Sequence, residues 1–173
     1  QNFNAGDDLS EVGGSLSSGS FDGTGLVWTA IYTANDDFSG TGSVTLLAGS
    51  YTDAELNPGS GDFDTVSIDT INPSATVEIT ESDLNDSNNT SNVTITFSET
   101  PQNFETGDDL DVVGGSLSDD AFDGTGLIWT ATYTADDDFT GTGSVMLEAN
   151  RYTDSNGNLG SGGSDSVAID TIN

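Results

Sequence analysis

The chain has no cysteine, no histidine and no lysine, and its only basic residue is Arg151. Each absence removes a class of function. Without cysteine there are no disulfides and no thiolate zinc sites, which is compatible with secretion but does not establish it. Without histidine, cysteine and lysine, the usual general bases, thiol nucleophiles and Schiff-base amines are missing. A single arginine cannot neutralise a run of phosphates, so nucleic-acid binding is excluded. Adsorption to an anionic membrane surface is disfavoured for the same reason. No apolar run approaches the roughly 20 residues of a membrane-spanning helix, so no direct membrane insertion is expected. No signal peptide is recognisable, and any targeting signal is expected outside these residues.

What is present is acid. Thirty Asp and Glu residues give a formal net charge of −29 over 173 residues. Self-repulsion on this scale weakens a compact state, and high charge with low hydrophobicity can mean disorder. Two Trp, eight Phe and four Tyr argue for a packed core instead. The charge must then be managed, either by salt screening or by Ca²⁺ bound directly to clustered carboxylates.

The chain also repeats itself. Gln1-Asn2-Phe3 returns as Gln102-Asn103-Phe104, Phe21-Asp22-Gly23-Thr24-Gly25-Leu26 as Phe122-Asp123-Gly124-Thr125-Gly126-Leu127, and Ile68-Asp69-Thr70-Ile71-Asn72 as Ile169-Asp170-Thr171-Ile172-Asn173. Residues 1–72 align with 102–173 without a gap, and about two thirds of the positions are identical. The period is too long for a solenoid repeat of roughly 20–50 residues. It is the size of an independently folding domain.

Alternation with period 2 dominates and predicts half-buried strands. Ala75, Val77 and Ile79 alternate with Thr76, Glu78 and Thr80. Val93, Ile95 and Phe97 alternate with Thr94 and Thr96, and Leu127, Trp129, Ala131 and Tyr133 with Ile128, Thr130, Thr132 and Thr134. Val145, Leu147 and Ala149 form one more buried face, and Val167 with Ile169 another. No segment shows a helical period. Trp28 and Trp129 read as core residues. Residues 73–173 are laid out as seven strands: A (about 74–80), B (92–98), C (110–113), D (115–118), E (127–134), F (144–149) and G (164–170). Gly114-Gly115 predicts a tight C–D turn, where glycine permits positive φ. The segment Glu81–Asp86 between A and B reads as a solvated loop. Seven short strands with Gly- and Asp-rich turns predict an all-β chain of tandem immunoglobulin-like β-sandwiches; a generic small β-barrel is the alternative.

Residues 1–72 align with strands C to G only. They therefore form a repeat lacking its first two strands, followed by a complete repeat over 73–173. The missing strands carry the equivalents of Val77, Ile79, Val93, Ile95 and Phe97. Five such side chains at ~1.5–3 kcal/mol each are comparable to the ~5–15 kcal/mol stability of a whole domain. The expectation is that the chain is cut from a longer array, or that another chain donates these strands.

Strand parity assigns the acids to poles. At the exit pole of the first copy lie Asp36 and Asp37 of the E–F loop and the linker residues Asp69 and Asn72. Asp137, Asp138 and Asp170 are their counterparts in the second copy. At the entry pole of the second copy lie Glu99, Asp108 and Asp109 near the B–C connection, Asp123 on the D–E loop, and Asp154, Asn156 and Asn158 on the F–G loop. Asp and Asn are also ordinary turn formers. In a head-to-tail array these acids converge on the linker, where Ca²⁺ with about six to eight oxygen ligands would tie the copies together. Asp154, Asn156 and Asn158 have the 1, 3, 5 spacing of an EF-hand loop. The glycine at position 6 and the glutamate at position 12 are absent, so the group reads as an oxygen cluster and not an EF-hand.

Several motifs together resemble the bacterial immunoglobulin-like repeats of giant, type I-secreted surface adhesins, the Bap-like and RTX-adhesin group. They are Asp69-Thr70-Ile71-Asn72-Pro73, the Val93–Glu99 run, Gly114-Gly115-Ser116-Leu117, Trp129-Thr130-Ala131-Thr132-Tyr133, and Tyr152-Thr153-Asp154 leading to Asn158. The resemblance implies an extracellular, cell-surface extender whose partners are neighbouring repeats of the same chain and whose joints bind Ca²⁺. Two other readings stand beside it. One is a filament or biofilm-matrix subunit assembled by strand donation between copies. The other is a glycan- or ice-binding module using the outward Thr130, Thr132 and Thr134. Paired carboxylates serve glycoside hydrolysis in some enzymes, but the acids here sit on turns and recur in both copies, so an enzyme is not expected.

Overall fold

A computed structural model describes residues 2–173. The chain divides into two compact units, Gln1–Ile71 and Asn72–Asn173. In the first, a helical turn α1 (Ala5–Asp8) leads into strands β1 (Leu9–Val12), β2 (Gly14–Leu16), β3 (Ser20–Phe21), β4 (Trp28–Thr29), β5 (Tyr32–Ala34), β6 (Ser39–Leu46) and β7 (Asp62–Asp69). The second contains β8 (Ala75–Ile79), β9 (Asp83–Asn85), β10 (Thr90–Phe97), a helical turn α2 (Thr106–Asp109), β11 (Leu110–Val113), β12 (Gly115–Phe122), β13 (Ile128–Ala135), β14 (Thr140–Leu147) and β15 (Gly163–Asp170).

The second unit is a two-layer sandwich. One sheet has the order β12-β13-β10-β8 and the other β11-β14-β15-β9. The alternating residues of β10, β13, β14 and β15 fill the space between them. Val93, Ile95, Phe97, Trp129, Ala131, Tyr133, Val145, Leu147, Val167 and Ile169 are all buried, while their Thr and Ser neighbours face outward. Phe97 packs edge-on against Tyr152 and Phe104, with ring centroids 5.1 and 5.4 Å apart, and Phe104 against Trp129 at 5.8 Å. The Tyr133 hydroxyl donates to the Val113 carbonyl at 2.7 Å, stapling β13 to the end of β11. Burial, and secondarily the charge of Asp136, pushes that hydroxyl up to about 12. Tyr32 makes the equivalent bond to Val12 in the first unit, at 2.6 Å.

Four details depart from the sequence reading. The segment between A and B is not wholly loop: Asp83–Asn85 form β9, which pairs in parallel with β15. The cause is Leu84, only 1 % exposed, a lone apolar residue too short a signal for periodicity to register. Strand F begins earlier than expected and ends at Leu147, so Ala149 lies in an exposed turn and not on a buried face. Strand D runs on to Phe122 through an irregularity between Ser118 and Ala121, where Asp119 takes a φ of 55°. Such a bulge accommodates extra residues without losing the pairing. In the Gly114-Gly115 turn only Gly114 has positive φ, at 72°. Gly115 is required for space: a Cβ there would meet the Tyr133 ring at 2.6 Å.

The first unit contains counterparts of β11 to β15. Among its described residues, no strand corresponds to β8, β9 or β10. Its sheets are smaller: β1-β6-β7, β2-β5 and β3-β4. The long strand β13 of the second unit is held on both sides, by β10 and β12. Its counterpart is broken into β4 and β5, each paired on one side only. Ile68 is the buried hydrophobic residue of this unit among those described.

Candidate metal centre

The entry pole of the second unit is built by the F–G loop folding over the start of β8 and the end of β10. The Tyr152 ring is buried there and lies flat on Gly160, where any Cβ would run into it. The Ser161 amide donates to the Pro73 carbonyl at 2.9 Å. Ser74 and Ser98 are cross-linked, the Ser98 amide to the Ser74 carbonyl at 2.8 Å and the Ser74 amide to the Ser98 hydroxyl at 2.9 Å. Gln102 and Thr153 exchange a pair of backbone hydrogen bonds of 2.7 and 3.1 Å. These ties fasten the B–C connection to the F–G loop, and so bring Glu99 to Asp154.

Carboxylate oxygens of Glu99 and Asp154 lie within 4.8 Å of one another. Glu99 is half-buried and Asp154 is buried. The Asp154 carboxylate organises its own loop. Its Oδ1 accepts from the Asn156 and Asn158 amides at 2.8 and 2.9 Å, and its Oδ2 from Asn158 Nδ2 at 2.7 Å. Burial pushes the Asp154 carboxyl up. The bonds from Asn158, Asn156 and Gly157 together outweigh burial and hold it below the ordinary 3.8. Because the folded value is depressed, the loop's stabilisation is full above the ordinary value and is lost as pH falls through the depressed one. A carboxyl-carbon NMR titration should therefore place the Asp154 midpoint below 3.8. A midpoint at or above that value would contradict this hydrogen-bonding scheme. The Tyr152 hydroxyl is pushed up by burial and by the nearby Glu99 charge, against the bond to Ser161.

Other expected ligands have different surroundings. Asp109 is buried and accepts from the Glu105 amide at 2.8 Å, so it closes the α2 turn. Asp8 does the same for Asn4 in the first unit, at 2.7 Å. A four-residue turn of this kind has no periodicity to reveal it in the sequence. Asp108 lies exposed on the same turn. Asp123 folds the D–E loop: it accepts from the Thr125 hydroxyl at 2.8 Å and from the Thr125 and Ile128 amides at 3.2 Å. Led by the Thr125 hydroxyl, these bonds hold its carboxyl below the ordinary range. Asp22 repeats the arrangement with Thr24 in the first unit.

Asp36 and Asp37 are exposed on the E–F loop of the first unit. That loop is fastened to the end of β7: the Thr70 hydroxyl donates to the Asn35 carbonyl at 2.7 Å and accepts from the Phe38 amide at 3.0 Å. Asp69, half-buried, closes β7 one residue before that clasp. In the second unit, Thr171 clasps Asp136 and Phe139 in the same way, and Asp137, Asp138 and Asp170 are exposed around it. They therefore lie at the pole opposite Glu99 and Asp154. Asn72 begins the second unit, next to the buried Pro73.

The donor set at the entry pole is hard oxygen throughout, with no histidine or cysteine anywhere in the chain. This chemistry fits Ca²⁺ and not a soft transition metal. The only cation, Arg151, is engaged by Glu148 on the surface.

No curated protein matches the chain. A comparison with protein families matches residues 1–68, and again residues 69–171, to the bacterial Ig-like domain. The match covers both copies and agrees with the sandwich topology of the second unit: the chain belongs to the bacterial Ig-like domain family.

Proposed function

We propose that this chain is a structural extender repeat of a bacterial cell-surface adhesin, stiffened by Ca²⁺ at the linker between its repeats. The observation that carries this reading is the Glu99–Asp154 pair, two carboxylates held within 4.8 Å at the entry pole. Unneutralised, such a pair is repulsive. Asp69 and Asn72 stand four residues and one residue before Pro73, which is itself bonded into that pole. At no more than ~3.3–3.6 Å per residue, the four-residue separation of Asp69 and Pro73 is short enough for Asp69 to reach the pair. Glu99, Asp154 and Asp69 are assigned as the carboxylate ligands, with the Asn72 amide beside them. The ion would supply charge neutralisation and a rigid tie, and no catalytic step is assigned. An extracellular location suits the reading, because extracellular Ca²⁺ modules work at roughly 10⁻⁴–10⁻³ M ion.

Calcium titration followed by small-angle X-ray scattering tests it. The expected result is a saturable change in maximum dimension, with a narrower distribution of conformers, reversed by chelator. Mg²⁺, which holds its waters more tightly, should do much less. Scattering curves that superimpose with and without Ca²⁺ would rule out the calcium joint.

A further inference from the structure

The F–G loop of the second unit carries the chain's only asparagine followed by glycine, Asn156-Gly157. That step is chemically distinct from every other asparagine in the chain. Glycine has no Cβ to shield its own amide nitrogen, and its backbone turns freely. The nitrogen of the following residue can then attack the side-chain amide, an intramolecular reaction favoured by proximity.

The local structure leaves this step open. Asn156 and Gly157 are both exposed, at the end of a turn running from Asp154 to Gly157. Gly157 has a φ of 90°, and a Cβ built on it would meet nothing within 4 Å. Its amide donates to the Asp154 carbonyl at 3.4 Å, near the limit of a hydrogen bond. Swinging that nitrogen onto Asn156 Cγ breaks this weak tie. The rest of the loop is held more firmly, because the Asp154 carboxylate accepts the Asn156 and Asn158 amides at 2.8 and 2.9 Å. Asp154 therefore limits how often the turn opens.

The first unit has the same loop with different chemistry. Asp53 accepts the Glu55 and Asn57 amides and Asn57 Nδ2, each at 2.9 Å. Glu55 stands at the position of Asn156, and Leu56, with a φ of 67°, at that of Gly157. The loop thus accommodates a carboxylate at this position without losing its aspartate bonds.

We propose that Asn156 is a site of spontaneous deamidation, gated by Asp154, which adds a carboxylate to the entry pole as the protein ages. The Gly157 nitrogen gives up its proton and bonds to Asn156 Cγ. The Cγ–Nδ2 bond breaks, and the amine leaves as ammonia with that proton. Water then opens the resulting succinimide ring. Opening at Cγ leaves an ordinary aspartate link, matching the acid of the first unit. Opening at the backbone carbonyl carbon of residue 156 leaves an isoaspartate link, whose extra main-chain methylene disturbs the Asp154 bonds. The step needs only the loop and water, so the inference stands apart from the calcium reading.

The test incubates the full chain, with chelator, in warm and mildly alkaline buffer. Samples taken over time are analysed by peptide mapping and mass spectrometry, with isoaspartate in the 156–157 peptide scored by enzymatic methylation. Asn156 is expected to convert at least tenfold faster than any other asparagine, with both link types appearing. Asp154→Ala should speed the conversion several-fold. Conversion at Asn156 no faster than elsewhere, aspartate without any isoaspartate, or an unchanged rate in Asp154→Ala would each overturn the proposal.

Discussion

Trp129→Ala is expected to destabilise the second unit by ~3–5 kcal/mol, the usual cost of emptying a buried aromatic site. The indole is 1 % exposed and packs edge-on against Phe104, which itself packs against Phe97 and Phe122, so the neighbours cannot collapse into the space without breaking other contacts. At ~4–8 °C per kcal/mol for a domain of this size, the melting temperature should fall by well over 10 °C. Trp28→Ala in the first unit provides the comparison. Trp28 has a closely similar local sequence and a similar ring partner in Phe3, at 5.5 Å, but it is only half-buried. Its loss should cost less than half as much. Calorimetry on both variants and the parent chain measures the difference. Equal losses would mean that the first unit has a closed core, contrary to the exposure of its inner face.

Asp154→Ala is expected to act in two ways. In the absence of Ca²⁺, it leaves the Asn156 and Asn158 amides and the Asn158 side chain without their acceptor. Hydrogen bonds to a charged group are worth ~1.5–3 kcal/mol net, and the three share one carboxylate. The total should therefore be nearer one such value than three, with a loosened F–G loop. In the presence of Ca²⁺, the parent chain should gain ~2.7 kcal/mol at a hundredfold excess over the dissociation constant. The variant should gain almost nothing. Thermal melts of both chains, with Ca²⁺ and with chelator, separate the two effects. An unchanged calcium increment in Asp154→Ala would remove this residue from the ligand set while leaving its structural role intact.

The layout of the strands was legible because alternation is written into adjacent residues. Thr-Val-Glu-Ile and Thr-Ile-Thr-Phe cannot present one apolar face in any other backbone conformation. The poles were legible too, since strand parity decides at which end each loop emerges. What escaped was local and short. Leu84 carries β9 alone, and the α2 turn has four residues, so neither produces a pattern. Only the atoms around Asp109 and Asp123 reveal that they, like Asp154, accept bonds from donors of their own turns.

By itself, then, the sequence determined the duplication, the all-β class, the lack of histidine, cysteine and lysine, and the concentration of acid on loops. These are properties of residue type and near-neighbour spacing. Tertiary structure alone decided which acids meet. Glu99 and Asp154 are distant in the chain and are joined because Gln102 pairs with Thr153 and Ser74 with Ser98. It also decided what seals Val167: β8 and β10 lie over it, and the alternation of its own strand does not say which distant strands those are.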